Sequence, residues 1–533
     1  MLLRLLVAVG ALLGATMAQA EWREASTRNF IVYSEGSEAD LRSFAEKLEK
    51  FDFVLRRIHQ VQAPPSPNRL RVILVPNQRA VADLAGARGS GVAGYYISDA
   101  RGMMLVGSQN RLGPRIGSDR GESRSIVYQI DPESVLLHEY THHFMYQYFP
   151  ATYPTWYSEG FAEFWGATRF LDNGVVEVGR PAEHRFGSFV ANRWLPMGEL
   201  LEAQNYSQVG EVDLLYAQGW LLVRYAWENP ERQRQLQQYL ALINRGIPYA
   251  DAARQAFGNL GQLNSELRSY AGRTRYNVIN LPFRTIDVGD IAVRPLGPAE
   301  QAMFRSEIEL SQGVSVADFP EFAARVRREA TPFPNDPFAL RLLVEVERLA
   351  RNADAARAAL DRLLAAVPQD PRGLMYKGLL DTDALRGRGT PAELAAARRP
   401  IERAMQLSPN DPLIQEALYT NYQAMGRLPP EDAQAALYRA MELAPSDPRL
   451  RYKVASDFEQ RGMIAEAIAT IRPDAYRVPD RRDESDAERQ RRERREDRDR
   501  RAGTTRTETP REMLARLEGR LRGQGERPQA PGN

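Results

Sequence analysis

Five consecutive residues carry the chemistry of this chain: His138, Glu139, Tyr140, Thr141 and His142, an H-E-x-x-H run. On a helix, positions i and i+4 lie one turn apart on one face, so His138 and His142 can present two imidazoles to one metal ion. Glu139 leaves the same helix about 100° round from His138. That offset keeps its carboxylate off the ion but within reach of a water that the ion activates, which is the place of a general base. The chain has five histidines in 533 residues, and three of them are His138, His142 and His143. His143 falls one residue off the ligand face and reads as structural.

Two imidazoles do not complete a catalytic zinc site, which takes three protein ligands and keeps a fourth position for water. The next carboxylates are Glu159 and Glu163, in the run WYSEGFAEF. Pro150 and Pro154 stop the first helix, and a second begins near Tyr157, which sets Glu159 in its first turn as the third ligand. Glu163 follows one turn later on the same face, where a carboxylate can hold the free N–H of a ligating histidine. The competing explanation is a buried helix whose histidines are satisfied within a core. The E-G-x-A-E that follows the H-E-x-x-H run weighs against it.

The stretch 133–166 resembles the gluzincin zinc metallopeptidases, the group of thermolysin and the aminopeptidase-like enzymes. In that group the third ligand is a Glu on the next helix, often within E-x-x-x-D. Here the run is Glu159-Gly160-Phe161-Ala162-Glu163, and Glu159 comes 17 positions after His142. Glu in place of Asp and a somewhat shorter spacing are departures from that pattern. The resemblance spans about residues 25–275. It implies an α+β zincin-like metallopeptidase domain (a mixed sheet, the H-E-x-x-H helix and a helical subdomain). Zn²⁺ would then sit on His138, His142 and Glu159, with Glu139 catalytic. It also implies that a strand before the motif helix pairs with extended peptide substrate, and the runs near 93–107 are best placed for that. The segment LLYAQGWLLVRY, 214–225, resembles the aminopeptidase-like stretch in which a Tyr hydrogen-bonds the oxyanion. Tyr216 takes that catalytic role here, with Tyr153 and Tyr157 as rivals and a plain core aromatic as the alternative.

The remaining sequence must position these groups. Residues 27–110 read as mixed α/β. Phe30–Ser34 and Leu70–Val75 are β-rich runs. Leu41, Phe44, Leu48, Phe51, Leu55 and Ile58 recur at helical spacing between them. Tyr95–Ser98 and Met103–Gly107 read as a hairpin around Asp99-Ala100-Arg101-Gly102. Residues 108–131 read as a surface loop that borders the motif helix, 190–275 as mostly helical, and 276–330 as a connecting segment.

From about 331 the pattern changes. Asn335-Asp336-Pro337, Gln369-Asp370-Pro371, Asn410-Asp411-Pro412 and Ser446-Asp447-Pro448 recur, with prolines 34, 41 and 36 positions apart. Asp suits a helix N-cap and Pro the first helical position, so each word opens a helix. A helix–turn–helix unit of this period resembles the tetratricopeptide repeat. Ala355, Ala359 and Leu363, then Ile401, Ala404 and Met405, are the residues expected to pack the second helix of a unit. The segment 387–393 is read as an insertion. The resemblance implies an all-α tetratricopeptide-like solenoid over 331–477, with a groove for a protein partner. Residues 478–533 read as a charged, disordered tail in which Met513, Leu514, Leu517 and Leu521 can form one short amphipathic helix.

Net charge is +2, so no bulk electrostatic case for nucleic acid exists. Without cysteine the chain has neither disulfides nor thiolate ligands, and any metal must rest on His and carboxylate. Residues 1–20, with Arg4, an apolar run and Ala18-Gln19-Ala20, read as a signal peptide. The mature 21–275 domain, the 276–330 segment and the repeats are then expected in the periplasm or outside the cell, with no membrane span. The function expected is peptide-bond hydrolysis of a peptide or protein substrate. The alternative is a catalytically inactive zincin-like domain that serves with the repeats as an envelope interaction scaffold.

Overall fold

A computed structural model describes residues 21–85, 93–109, 131–189, 194–203, 209, 211–273, 275–283, 286–315, 317–476 and 508–525. Residues 1–20, expected as a signal peptide, residues 110–130, expected as a surface loop, residue 477, and residues 478–507 and 526–533 of the expected tail lie outside the described residues. Among the described residues the strands are β1 (Arg23–Ser26), β2 (Phe30–Ser34), β3 (Leu70–Val75), β4 (Gly94–Ile97), β5 (Met104–Ser108), β6 (Arg169–Phe170), β7 (Val175–Val178), β8 (Ile279–Pro282) and β9 (Ala292–Pro295). Six form a mixed sheet in the order β4-β5-β3-β2-β1-β9, with β2, β3 and β5 parallel and β4 an antiparallel edge. β6, β7 and β8 form a small antiparallel sheet.

Burial explains why β3 reads as an unbroken apolar run. Val72 and Leu74 enter the core on one face of the sheet and Ile73 and Val75 enter that on the other. The first face is covered by α1 (Glu38–Ile58), opened by a Ser37 cap on the Asp40 amide. On the second face, α2 (Gln78–Leu84) supplies Val81 and Leu84. The motif helix α3 (Pro132–Tyr148) starts on an Asp131 cap with Pro132 at its first position and shares the first core through Leu136, Leu137, Tyr140 and Phe144. After the Pro150–Pro154 break comes α4 (Thr155–Gly166), then α5 (Glu183–Phe186), α6 (Met197–Glu202), α7 (Val212–Glu228), α8 (Pro230–Asn244), α9 (Tyr249–Phe257) and α10 (Leu260–Ala271). From α6 onward these helices form a subdomain continuous with that core.

Glycines set how closely α3 and α4 approach their neighbours. A Cβ on Gly160 would lie 2.3 Å from the backbone carbonyl carbon of Gly219, and one on Gly219 would lie 2.3 Å from the Trp156 carbonyl oxygen. The helices α4 and α7 therefore cross backbone on backbone. Gly107 of β5 leaves space for Leu136, and Gly166 admits the Ser134 carbonyl and the His138 stem.

Residues 276–330 are more than a connection. They return to both sheets as β8 and β9, then form α11 (Pro298–Gln312) and α12 (Phe319–Ala330). Phe304 and Ile308 of α11 pack on the second face of the sheet, while Ala299, Met303 and Leu310 pack against α12 and the helix after it. One amphipathic helix thus belongs to the sheet and to the helical array together.

The array continues as the pairs α13 (Pro337–Leu349) and α14 (Ala353–Ala366), α15 (Pro371–Leu385) and α16 (Pro391–Leu407), α17 (Pro412–Gln423) and α18 (Glu431–Leu443), and α19 (Pro448–Gln460) and α20 (Ile464–Tyr476). Asp336, Asp370, Asp411 and Asp447 each cap the first helix of a pair through backbone amides, with Pro next. Such a cap contributes about 0.5–2 kcal/mol. Arg341 donates to Asp370 and Arg372 to Asp411, so each of these caps is also tied to the preceding pair. In α14 the buried stripe is Ala356, Ala359, Leu360 and Leu363, and Ala355 is only half-buried. Residues 387–390 form the turn within one pair and 391–393 open α16, where Thr390 and Glu393 make a capping box. Within the tail, Pro510–Gly525 is a helix whose Met513, Leu514 and Leu517 cover Ile464, Ile468 and Ile471, so this part of the tail closes the array. No helix among the described residues is long and apolar enough to cross a membrane.

Replacing Gly160 with alanine is expected to cost about 1–3 kcal/mol, since backbone rather than a movable side chain opposes the new methyl group. The midpoint of urea unfolding measures it. An unchanged midpoint would mean that α4 and α7 do not meet on their backbones.

Candidate metal centre

His138 and His142 leave α3 one turn apart, and Glu159 enters from the first half of α4. Nε2 of His138 lies 3.2 Å from Nε2 of His142. The Glu159 Oε2 atom is 3.3 Å from the first and 3.6 Å from the second. In a tetrahedral site with metal–ligand bonds of about 2.0–2.2 Å, ligand atoms stand about 3.3–3.6 Å apart. The three donors thus make one face of such a tetrahedron. They are a buried group that can hold a metal ion.

Side chains behind the imidazoles aim them. Nδ1 of His142 is 3.2 Å from Ser158 Oγ, which lies 3.2 Å from the Tyr146 hydroxyl. Nδ1 of His138 faces Glu163 Oε1 at 3.6 Å. With Nδ1 directed outward on both rings, both Nε2 atoms are turned to the centre.

Glu163 collects more than His138. His184 Nε2 lies 3.1 Å from its Oε2, and Arg185 Nε donates to its Oε1 at 3.0 Å. Burial works to raise the Glu163 carboxyl, but Arg185, His184 and His138 outweigh it and hold it well below the usual carboxylate range. Arg185 also lies over the ring of Tyr216, 4.4 Å from its centroid. Tyr216 is therefore one side chain removed from Glu163, buried on α7 three residues before the Gly219 crossing. Its rivals are placed differently. The Tyr153 hydroxyl donates to the Phe149 carbonyl at 2.6 Å, and the Tyr157 ring stacks on Tyr153.

Glu139 is buried, between α3 and the edge strand. A Cβ on Gly94 would come 3.5 Å from Glu139 Cγ and 2.9 Å from Val135. A residue with a side chain at position 94 would push the edge strand away from the motif helix. Tyr96, on the same side of β4, places its hydroxyl 3.1 Å from Nδ1 of His143. Burial pushes the His143 imidazole down to about 3, and Arg56 adds to it, so this histidine is neutral. Sequence reasoning missed His184, Arg185, Ser158 and Gly94. Among these only His184 gave a signal, as one of the five histidines of the chain.

No family model matches the chain, and no curated protein matches it. Solved structures similar to it include the protein TTC0263 of Thermus thermophilus, described as a thermophilic TPR protein, at 20% identity over 29% of this chain and 81% of that one, with a TM-score of 0.27. Pseudomonas aeruginosa PilF matches at 13% identity over 42% of this chain and 97% of its own, with a TM-score of 0.28. MamA of Desulfovibrio magneticus RS-1 matches at 17% identity over 32% and 90%, with a TM-score of 0.24. Likeness of this degree carries no argument; the repeat architecture rests on the helix pairs and caps described above.

Zinc titrated into the metal-free full chain is expected to bind at about one ion per molecule. His138→Ala is expected to abolish that binding, and Glu163→Gln to weaken it about 10–100-fold through the loss of an orienting partner. Calorimetry checks both. Equal binding by wild type and His138→Ala would remove the assignment.

Proposed function

We propose that the chain is an exported zinc-dependent metallopeptidase of gluzincin type that hydrolyses peptide bonds with an activated water. The observation that carries this is the convergence of His138, His142 and Glu159, with Glu139 on the same helix beside the edge strand β4. Bound there, zinc would polarise the scissile carbonyl and lower the pKa of a water towards neutrality. Glu139 takes the proton of the attacking water and returns it to the leaving amine. His138, His142 and Glu159 would hold the ion, and Ser158 and Glu163 keep the two rings from turning.

Substrate follows from the sheet. β4 is its terminal strand, with Gly94 against the helix that carries Glu139. An extended peptide or protein segment adding to that edge would bring its carbonyls past the general base. Tyr216 is proposed as hydrogen-bond donor to the oxyanion; its ring is fixed by Arg185, whose own place is set by Glu163. With the N-terminal signal, the setting is the periplasm or the cell exterior, and the helical array is the part suited to a protein partner.

One observation favours a second reading, a metal-holding domain without turnover that acts as an envelope scaffold. His138, His142 and Glu159 are 8%, 6% and 4% exposed, as in a closed structural site.

Glu139→Gln separates the two readings. The amide is nearly isosteric, and Glu139 is not among the three converging ligands, so zinc binding is expected to stay as in wild type. Cleavage of a peptide library in single turnover is expected to fall about 10²–10⁴-fold, the usual contribution of a positioned general base. Tyr216→Phe is expected to cost about 10²–10³-fold, as for one oxyanion-hole donor, also with zinc retained. A wild-type chain that binds zinc and cleaves nothing supports the scaffold. Full activity in Glu139→Gln would overturn the mechanism.

A further inference from the structure

The helices of the repeat array are in contact with another part of the same chain. The tip of the β4–β5 hairpin, Ser98-Asp99-Ala100-Arg101, turns on a Gly102 N–H to Asp99 carbonyl bond of 3.0 Å. This tip meets the first helices of the pairs and the turn that leads from α18 into α19. Ala100 is 3% exposed and belongs to one cluster with Tyr419 of α17, Leu437 and Ala440 of α18, and Leu450 and Val454 of α19. Its amide donates to Asp447 Oδ2 at 2.8 Å, on the carboxylate that caps α19. Arg101 Nε donates to Glu345 Oε1 of α13 at 2.7 Å, and the Tyr376 hydroxyl of α15 donates to the other oxygen of Glu345 at 2.8 Å. Asp99 faces Arg449 of α19 at 3.7 Å. Helices α13, α15, α17 and α19 all touch this turn or support a residue that does.

The same contact reaches the motif helix. Ser446 Oγ lies 3.0 Å from the Tyr96 hydroxyl and also bonds Ser98. That hydroxyl is the group bonded to His143, the residue after His142. β4 is thus fixed at both ends, at Gly94 by α3 and from Tyr96 onward by the array.

We propose that the groove of the repeats has a resident ligand, the hairpin tip of residues 98–101, and that this clamp sets the position of β4 beside Glu139. The array then serves first to align the strand on which substrate would pair, and an outside partner gains the groove only by displacing the tip. The alignment role rests on the peptidase reading, whereas occupancy of the groove does not.

The test is hydrogen–deuterium exchange of full-length, zinc-loaded protein. Arg101→Ala removes the ion pair to Glu345, and Ala100→Arg puts a side chain where the buried cluster has no space for one. Both are expected to speed exchange of the amides across 94–101, by about tenfold or more for Ala100→Arg, with zinc stoichiometry unchanged. A labelled peptide of the sequence YISDARG, residues 96–102, is expected to bind Ala100→Arg and not wild type. Glu345→Gln supplies the same reading from the array side should Ala100→Arg fail to fold. Unchanged exchange in Arg101→Ala and Glu345→Gln together, or equal peptide uptake by wild type and Ala100→Arg, overturns the clamp. If the variants loosen 94–101 but wild type cleaves no peptide, the peptidase reading fails and the occupied groove stands. If wild type cleaves peptides and the clamp holds, Arg101→Ala is expected to raise KM more than it lowers kcat.

Discussion

Three acceptor atoms held within 3.6 Å of one another in a buried place are the constraint on which this fold depends. A carboxylate stripped of water costs several kcal/mol unless an opposite charge meets it. A single proton on one imidazole gives one donor to two acceptors, whereas a divalent cation between the three meets all of them. The arrangement persists only if each donor is held from behind. Ser158 and Glu163 do this for the histidines, and Glu163 is in turn held by His184 and Arg185.

Backbone proximity does the rest. Glu159 stands next to the glycine at which α4 meets α7, so its reach is set by a contact that no side-chain rotation can relax. Gly94, Gly107 and Gly166 bring β4, β5 and α4 against α3 in the same manner. The motif helix is therefore wedged from three sides, and its ligands need little local order of their own. Beneath it, the Tyr140 hydroxyl donates to the buried Asp52 at 2.6 Å, and Arg56 pairs with Asp52 at 2.8 Å. Burial raises the Asp52 carboxyl despite both partners.

What the sequence made legible was what local chemistry decides. The Asp-Pro words mark helix starts because a cap acts within four residues, and all four cap as read. β2 and β3 occupy the two runs marked as β-rich, since strands buried on both faces are apolar throughout. The H-E-x-x-H spacing placed two donors, and the proline break before α4 placed the third. Elements decided at long range were not legible. The runs that became β8 and β9 looked β-like, but nothing local said that β9 would join β1, some 270 positions earlier. His184 and Arg185 reach Glu163 from a short helix without a spacing rule. In α14 an alanine-rich sequence offers two overlapping stripes, and only packing chose Ala356 over Ala355. The hairpin was legible; its place in the repeat groove, about 350 positions away, was not.

The attachment of the array to the sheet follows one logic at both ends. α11 fastens it by apolar burial, with one face on the sheet and the other on the helices that follow. The hairpin tip fastens it by polar contacts around the buried Ala100, and a typical hydrogen bond among them contributes about 0.5–1.5 kcal/mol net. Apolar burial of this kind is non-directional and holds two bodies together without fixing their angle. Hydrogen bonds to Glu345 on the first pair and to Ser446 and Asp447 at the start of the last pair are directional, and they fix the angle of the array along its length. The Tyr476 ring of α20 lies 5.8 Å from the Tyr249 ring of α9, so the last pair is also held to the helical subdomain. The first anchor rests on apolar burial, while the second combines directional bonds with one small buried side chain, Ala100. Among these contacts the hairpin tip is the one that continues to the motif helix, through Tyr96, which meets both Ser446 and His143.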